Sequence, residues 1–170
     1  LHRRYIWRKT AQKEPKQITV NWDLIKNFTS SLPWPLTNAQ KKAIYEIIND
    51  LAKPFPMSRL LEGDTGSGKT VVAAATVLHA VEAGFQACLV APTEILARQH
   101  FQTFSKILKS FGITPSILIG SLTAKDKRET AEKLKNGKIQ FIIGTHALLQ
   151  EKIVFKKLGL AIIDEQHRFG

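Results

Sequence analysis

"GDTGSGKT", residues 63–70, is the stretch that decides the fold. Its eight residues hold three glycines and one lysine, and no large side chain. An apolar run, "RLL" (59–61), precedes it and another, "VVAAATVL" (71–78), follows it. Gly63, Gly68, Lys69 and Thr70 fit the spacing G-x-x-x-x-G-K-[ST]. Glycines let a backbone curl until successive N–H groups point inward at phosphate oxygens. A helix starting at about residue 68 adds its unpaired N–H groups and the positive end of its dipole. Lys69 then neutralises the outer phosphates of a nucleoside triphosphate, and the Thr70 hydroxyl holds magnesium. The bland alternative is a glycine-rich turn with an exposed lysine. A strand before the loop and an apolar helix after it weigh against that.

Outward from the loop, short apolar runs alternate with helical patterns. Strands are expected at 59–62 ("RLLE"), 86–91 ("QACLVA"), 115–119 ("PSILI"), 139–144 ("IQFIIG") and 158–165 ("LGLAIIDE"). Between them lie helices at 69–83, 94–111 and 123–136, closed by Gly84, Gly112 and Gly137, and a short helical turn at "HALLQ", 146–150. Strands apolar on both faces belong to a mostly parallel sheet covered by helices on both sides. Ahead of the loop, Ala43, Ile44, Ile47, Ile48 and Leu51 recur at helical spacing. A shorter helix is expected at "WDLIKNF", 22–28.

In an open parallel sheet, ligands bind where the strands end. "LAIIDE" delivers Asp164 and Glu165 to that edge. Asp164 can hold magnesium and Glu165 can polarise an attacking water. An acidic pair merely capping a strand is the alternative. The loop and the carboxylates, in this order and on these elements, point to ATP hydrolysis. No "NKxD" guanine-reading run and no "LSGGQ" signature is present. Gln40 can read the adenine edge with its amide, but Thr37-x-x-Gln40 is also a capping box for a helix starting at 38, and spacing favours the cap.

Composition narrows the class. The 170 residues suffice for one core, and 25 Lys and Arg against 14 Asp and Glu give a formal charge of +11. Such a balance attracts phosphate backbones or anionic surfaces. No apolar run reaches the ~18 residues of a membrane span, and no apolar core of signal-peptide length follows the basic residues of "LHRRYIWRKT". The single cysteine, Cys88, sits in an apolar strand and reads as a buried small hydrophobe in a reducing compartment.

"DEQH", 164–167, resembles motif II of superfamily 2 helicases. With "PLTNAQKKAI" (35–44), "MSRLLEGDTGSGKTVVAAA" (57–75), "APTEILARQHFQTF" (91–104), "IGTHALLQ" (143–150) and "LGLAIIDEQHRFG" (158–170), the chain resembles the RecG-type branch-migration DNA helicases of bacteria over roughly residues 32–170. The transcription-repair coupling translocase and the primosome helicase share parts of this pattern, with "DEEH" more usual at motif II.

The resemblance implies a three-layer, RecA-like P-loop NTPase domain that uses ATP and Mg²⁺ in a bacterial cytoplasmic, nucleoid-associated monomer. It implies action on branched or duplex DNA, reversing forks and migrating four-way junctions in recombination and repair. Residues 35–170 then form the first RecA-like lobe, cut short at its C-terminal end. Residues 1–34 are expected to be a linker or the tail of a preceding DNA-binding wedge domain, and a second lobe is expected to follow.

Residue by residue, it assigns Gln40 to adenine, and Gly63, Gly66, Ser67, Gly68, Lys69 and Thr70 to the phosphates. Thr70 and Asp164 go to the metal. Glu165 activates water, and His167 couples the nucleotide site to the rest of the motor. Thr93, Arg98, Ser121 and Thr145 lie along the DNA backbone. The usual valine at 65 is Thr65 here, of nearly equal size.

Each DNA-side residue has a plainer account. The hydroxyls can cap helices, and Arg98 can pair with Glu94 one turn earlier. The basic run at 125–138 reads as a solvated helix face, and Phe101, Phe104 and Phe111 read as core. A non-catalytic nucleic-acid-binding module on a P-loop fold is the rival class. Intact Lys69, Thr70, Asp164 and Glu165 argue against it.

Overall fold

The fold is that of a computed structural model, which describes residues 17–64, 66–150 and 152–164. In chain order its elements are α1 (Trp22–Ser31), α2 (Asn38–Leu51), α3 (Lys69–Glu82), β1 (Gln86–Val90), α4 (Glu94–Ile107), β2 (Ser116–Leu118), α5 (Ala124–Lys135), β3 (Phe141–Gly144) and β4 (Leu158–Ile163). Single 3₁₀ turns follow α4 at Lys109–Phe111 and β3 at His146–Leu149.

The four strands are all parallel, in the order β2-β3-β1-β4. Every residue of β1 is buried, as a central strand between helical layers requires. Alternate residues feed two cores. Ala87, Leu89, Phe141 and Ile143 join the larger one, where Phe28, Ile48, Leu78 and Phe104 pack; Cys88, Val90, Ile142 and Leu118 join a smaller one with Leu134 and Leu148. The larger core takes in α1 as well, through Ile25 and Phe28, together with Ile18 just ahead of it. Phe104 is fully buried, while Phe101 and Phe111 pack at the edge of the same core. On α5 only Leu134 is buried, and Lys133 pairs with Glu129 at 2.6 Å on its wet side.

The expected strand at 59–62 does not form. A ladder exists only where a neighbour takes its hydrogen bonds, and this stretch pairs with none of the four strands. Leu60 is 67% exposed. What fixes the stretch is Arg59, whose Nε and Nη2 donate to Asp50 Oδ2 at 2.8 and 2.6 Å and whose Nη1 donates to Glu46 Oε2 at 2.6 Å. The lead into the glycine loop is thus fastened to α2.

Opposite the strand C-termini, Gln86 closes the sheet. Its buried amide donates to the carbonyls of Leu134 and Ile139 at 2.9 and 2.7 Å and accepts from the Lys157 N–H at 2.8 Å. A buried polar side chain so fully paired orders three chain segments at once.

Candidate functional site

Because the strands are parallel, all four end on one edge. Backbone bonds hold those ends level: Asp164 N–H donates to Val90 O at 2.9 Å, Ala91 N–H to Gly144 O at 2.8 Å, and Thr145 N–H to Leu118 O at 3.3 Å. Asp164, the Ala91–Thr93 turn, Thr145 and the Gly120–Ser121 turn therefore form a row.

The glycine loop enters α3. Gly66 and Gly68 hold φ of 81° and 79°, a conformation that side chains disfavour. Side chains cap α1, α2, α4 and α5, namely Asn21, Thr37, Thr93 and Thr123. Helix α3 begins after Gly68 with no side-chain cap, so its first N–H groups stay available to an anion. Lys69 folds across the loop, with Nζ donating to Gly63 O at 2.5 Å and Asp64 O at 2.9 Å.

Gln40 forms the expected capping box, and its amide also reaches the glycine loop. The capping box is present: Gln40 Oε1 accepts from Thr37 N–H at 2.9 Å, and Gln40 N–H donates to Thr37 Oγ1 at 3.2 Å. Its Nε2 then reaches the loop and donates to Ser67 O at 2.9 Å. A Cβ on Gly68 would stand 2.2 Å from that nitrogen, so the glycine is what admits the amide.

On the side expected to face DNA, Thr93 caps α4, its hydroxyl accepting from Leu96 N–H at 3.3 Å. Ser121 caps no helix. Its N–H and hydroxyl donate to the two oxygens of Glu94 at 2.9 and 2.6 Å, and Arg98 Nη2 donates to the same hydroxyl at 3.3 Å. Glu94 and Arg98 therefore meet through Ser121, with no direct ion pair between them among the described residues. The Ser121 hydroxyl first, then the N–H groups of Ser121 and Gly120 and the Arg98 charge, hold Glu94 below the usual carboxylate range. Thr145 is buried at the start of its 3₁₀ turn, and its side chain makes no cap. Lys127 Nζ, alone of the α5 lysines expected to be merely solvated, reaches Gly120 O.

With this geometry in view, residues 37–170 match the model of the DEAD/DEAH box helicase family. The chain belongs to that family. Within it, the RecG-type resemblance holds. The ATP-dependent DNA helicase RecG of Aquifex aeolicus is 48% identical over 159 residues, covering 94% of this chain and 20% of the relative. RecG of Thermotoga maritima is 50% identical over 166 residues, covering 96% and 21%. A solved structure of RecG bound to a three-way DNA junction superposes with a TM-score of 0.86 at 47% identity, over 97% of this chain and 23% of that one. The UvsW helicase of bacteriophage T4, 20% identical at a TM-score of 0.64, shares the fold. The chain thus spans about a fifth of the curated relatives' length. The fold is the three-layer RecA-like one.

In this helicase lobe the predicted metal ligands offer a hydroxyl, Thr70, and a carboxylate, Asp164. Both are hard oxygen donors of the kind Mg²⁺ takes alongside substrate phosphates. Among the described residues no three His, Cys, Asp or Glu side chains gather into a protein-only cage. The donor set therefore fits a nucleotide-bound Mg²⁺. Glu165 and His167 lie outside the described residues. One contact went unread in the sequence: His100 Nε2 stands 2.7 Å from Asp164 Oδ2. Its only signal was position, one turn and a half beyond Glu94 on a helix that starts beside the same edge.

Proposed function

We propose that this chain is the first of two RecA-like lobes of an ATP-driven motor that acts on branched DNA in recombination and repair. The carrying observation is the uncapped start of α3 behind the Gly63–Thr70 loop, on the side of the sheet where Asp164 follows β4. The name of the superposed relative, RecG bound to a three-way junction, supports the DNA side of the reading.

On this reading the N–H groups of the loop and of the first turn of α3 bind the β- and γ-phosphates of ATP. Lys69 exchanges the Gly63 and Asp64 carbonyls for phosphate oxygens. Gln40 holds the loop from behind and lies near the adenine. Thr70 and Asp164 hold Mg²⁺, which when bound offsets charge on the phosphates and orients them. Glu165 takes a proton from the attacking water, and His167 links the nucleotide to motor elements deeper in the protein. Thr93, Arg98, Ser121 and Thr145 face the DNA backbone and read no bases. We further infer a second lobe in the same protein that completes the site, a monomeric state, and a place in the bacterial cytoplasm; among the described residues no helix is long and apolar enough to cross a membrane.

The test is ATP hydrolysis by the full-length protein with a three-way junction, a four-way junction, plain duplex or single-stranded RNA, and Lys69→Ala as the blank. Junction-dependent turnover that vanishes in the blank is expected. Stimulation by RNA alone would move the assignment to an RNA motor. DNA binding without hydrolysis on any substrate would leave only a binding module.

A further inference from the structure

Helix α4 has two working faces. Glu94 and Arg98, four residues apart, lie on one and meet Ser121. Ala97, His100 and Phe104, at spacings of three and four, lie on the other, where Ala97 and Phe104 are fully buried. His100 is the member of that stripe at the sheet edge. Its Nε2 meets Asp164 Oδ2 at 2.7 Å, with the two side chains 20% and 29% exposed. An ionised carboxylate only accepts, so the ring nitrogen is the donor. The ring is not free to swing. It packs edge-on against Phe104, with centroids 6.3 Å apart, and Phe104 in turn packs against Phe141 of β3 at 5.1 Å.

We propose that His100 is a positioning residue for the Asp164 carboxylate, and that through it α4 carries DNA engagement at Arg98 and Ser121 to the metal-binding group. This deepens the motor reading above and depends on it. With Oδ2 held by His100, the carboxylate would keep one orientation and leave Oδ1 for a cation. Ligand carboxylates are generally steered by such hydrogen bonds, and losing one weakens metal binding or turnover. Glu94 and His100 lie a turn and a half apart on one continuous helix, Glu94–Ile107. A shift of its first turn when a phosphate engages Arg98 and Ser121 therefore displaces the donor on Asp164.

The experiment uses the full-length protein with two variants. His100→Phe keeps a ring against Phe104 but lacks the N–H, whereas His100→Gln keeps an N–H donor at similar reach. Three quantities are read: fluorescent ADP affinity with and without Mg²⁺, ATP turnover with and without a three-way junction, and junction affinity without nucleotide. In His100→Phe the gain in ADP affinity on adding Mg²⁺, and the junction-stimulated kcat, should each fall by about tenfold. ADP affinity without Mg²⁺ and junction affinity should hold. His100→Gln should recover most of both losses. Wild-type Mg²⁺ and DNA responses in His100→Phe would overturn the proposal, and so would equal losses in both variants with a lowered melting temperature, which would mean packing alone. Because the ADP readout needs no hydrolysis, it judges His100 even if the wild type proves not to be a DNA motor.

Discussion

Gln40 donates from Nε2 to the Ser67 carbonyl at 2.9 Å, so the side chain that caps α2 also braces the glycine loop 27 residues later. Its two ends can be tested apart. Gln40→Glu keeps an acceptor for the Thr37 N–H, and a carboxylate suits a helix start. It also sets an oxygen against the Ser67 carbonyl. Melting temperature should stay near wild type while nucleotide affinity falls. Gln40→Ala loses both contacts, which should cost about 1 kcal/mol and lower the melting temperature by roughly 2–4 °C. Unchanged nucleotide affinity in Gln40→Glu would show that the brace is idle.

Gly144 is required by close approach, since a Cβ there would sit 2.2 Å from the Leu118 carbonyl oxygen. That carbonyl also accepts from Thr145 N–H. Gly144→Ala must push β2 and β3 apart at the functional edge, at a cost of roughly 1–3 kcal/mol. Urea denaturation should show it as a lower midpoint with an unchanged slope. An unshifted midpoint would contradict the contact.

His79 lies inside α3, 1% exposed, with neither ring nitrogen hydrogen-bonded. Burial pushes its pKa below the ordinary 6.5. Below that ordinary value the unfolded chain takes up a proton that the folded chain refuses. Stability is therefore full above about pH 6.5 and declines as the pH falls, at up to about 1.4 kcal/mol per pH unit until the folded pKa is reached. His79→Leu should flatten this acid limb. Urea midpoints at pH 7.5 and 5.5 for both proteins decide it; parallel declines would clear His79.

Cys88 sits on the all-buried strand β1, and burial pushes its thiol up to about 12. Only the thiolate reacts quickly with disulfide reagents. At pH 8 the folded protein should consume almost no Ellman's reagent, and in denaturant it should consume one equivalent. Rapid labelling of the folded chain would mean that β1 is open to solvent.

Local pattern was enough for much of this. Period and punctuation identified α2 through Ile44, Ile47 and Ile48, the buried strand around Cys88, and the loop at Gly63–Thr70. The Thr37-x-x-Gln40 cap was also legible, because both partners lie within one helical turn. What escaped was choice of neighbour. "RLLE" has the composition of a strand, yet nothing in its own four residues reveals that no strand lies beside it. His100 and Asp164 are 64 residues apart. Their meeting depends on how α4 packs over the sheet and on the register of β1 against β4. Glu94 reaches Ser121 instead of pairing directly with Arg98 for the same reason, since the closer partner in space is distant in sequence.

The strand order β2-β3-β1-β4 also makes the functional edge a graduated scale. Crossing it from β4 meets Asp164, then Thr93, Thr145 and Ser121, a sequence of positions that the chain itself does not follow. Neighbouring strands in any sheet lie about 4.8 Å apart, so β2 stands roughly 14 Å from β4, in three whole steps. Substitutions in the loops can change what each mark touches without moving the marks. The spacing of the strands is therefore the main determinant of the distance between the Asp164 carboxylate and the Ser121 turn. The backbone thus fixes how far apart the two chemistries stand, and the side chains remain free to vary what each one holds.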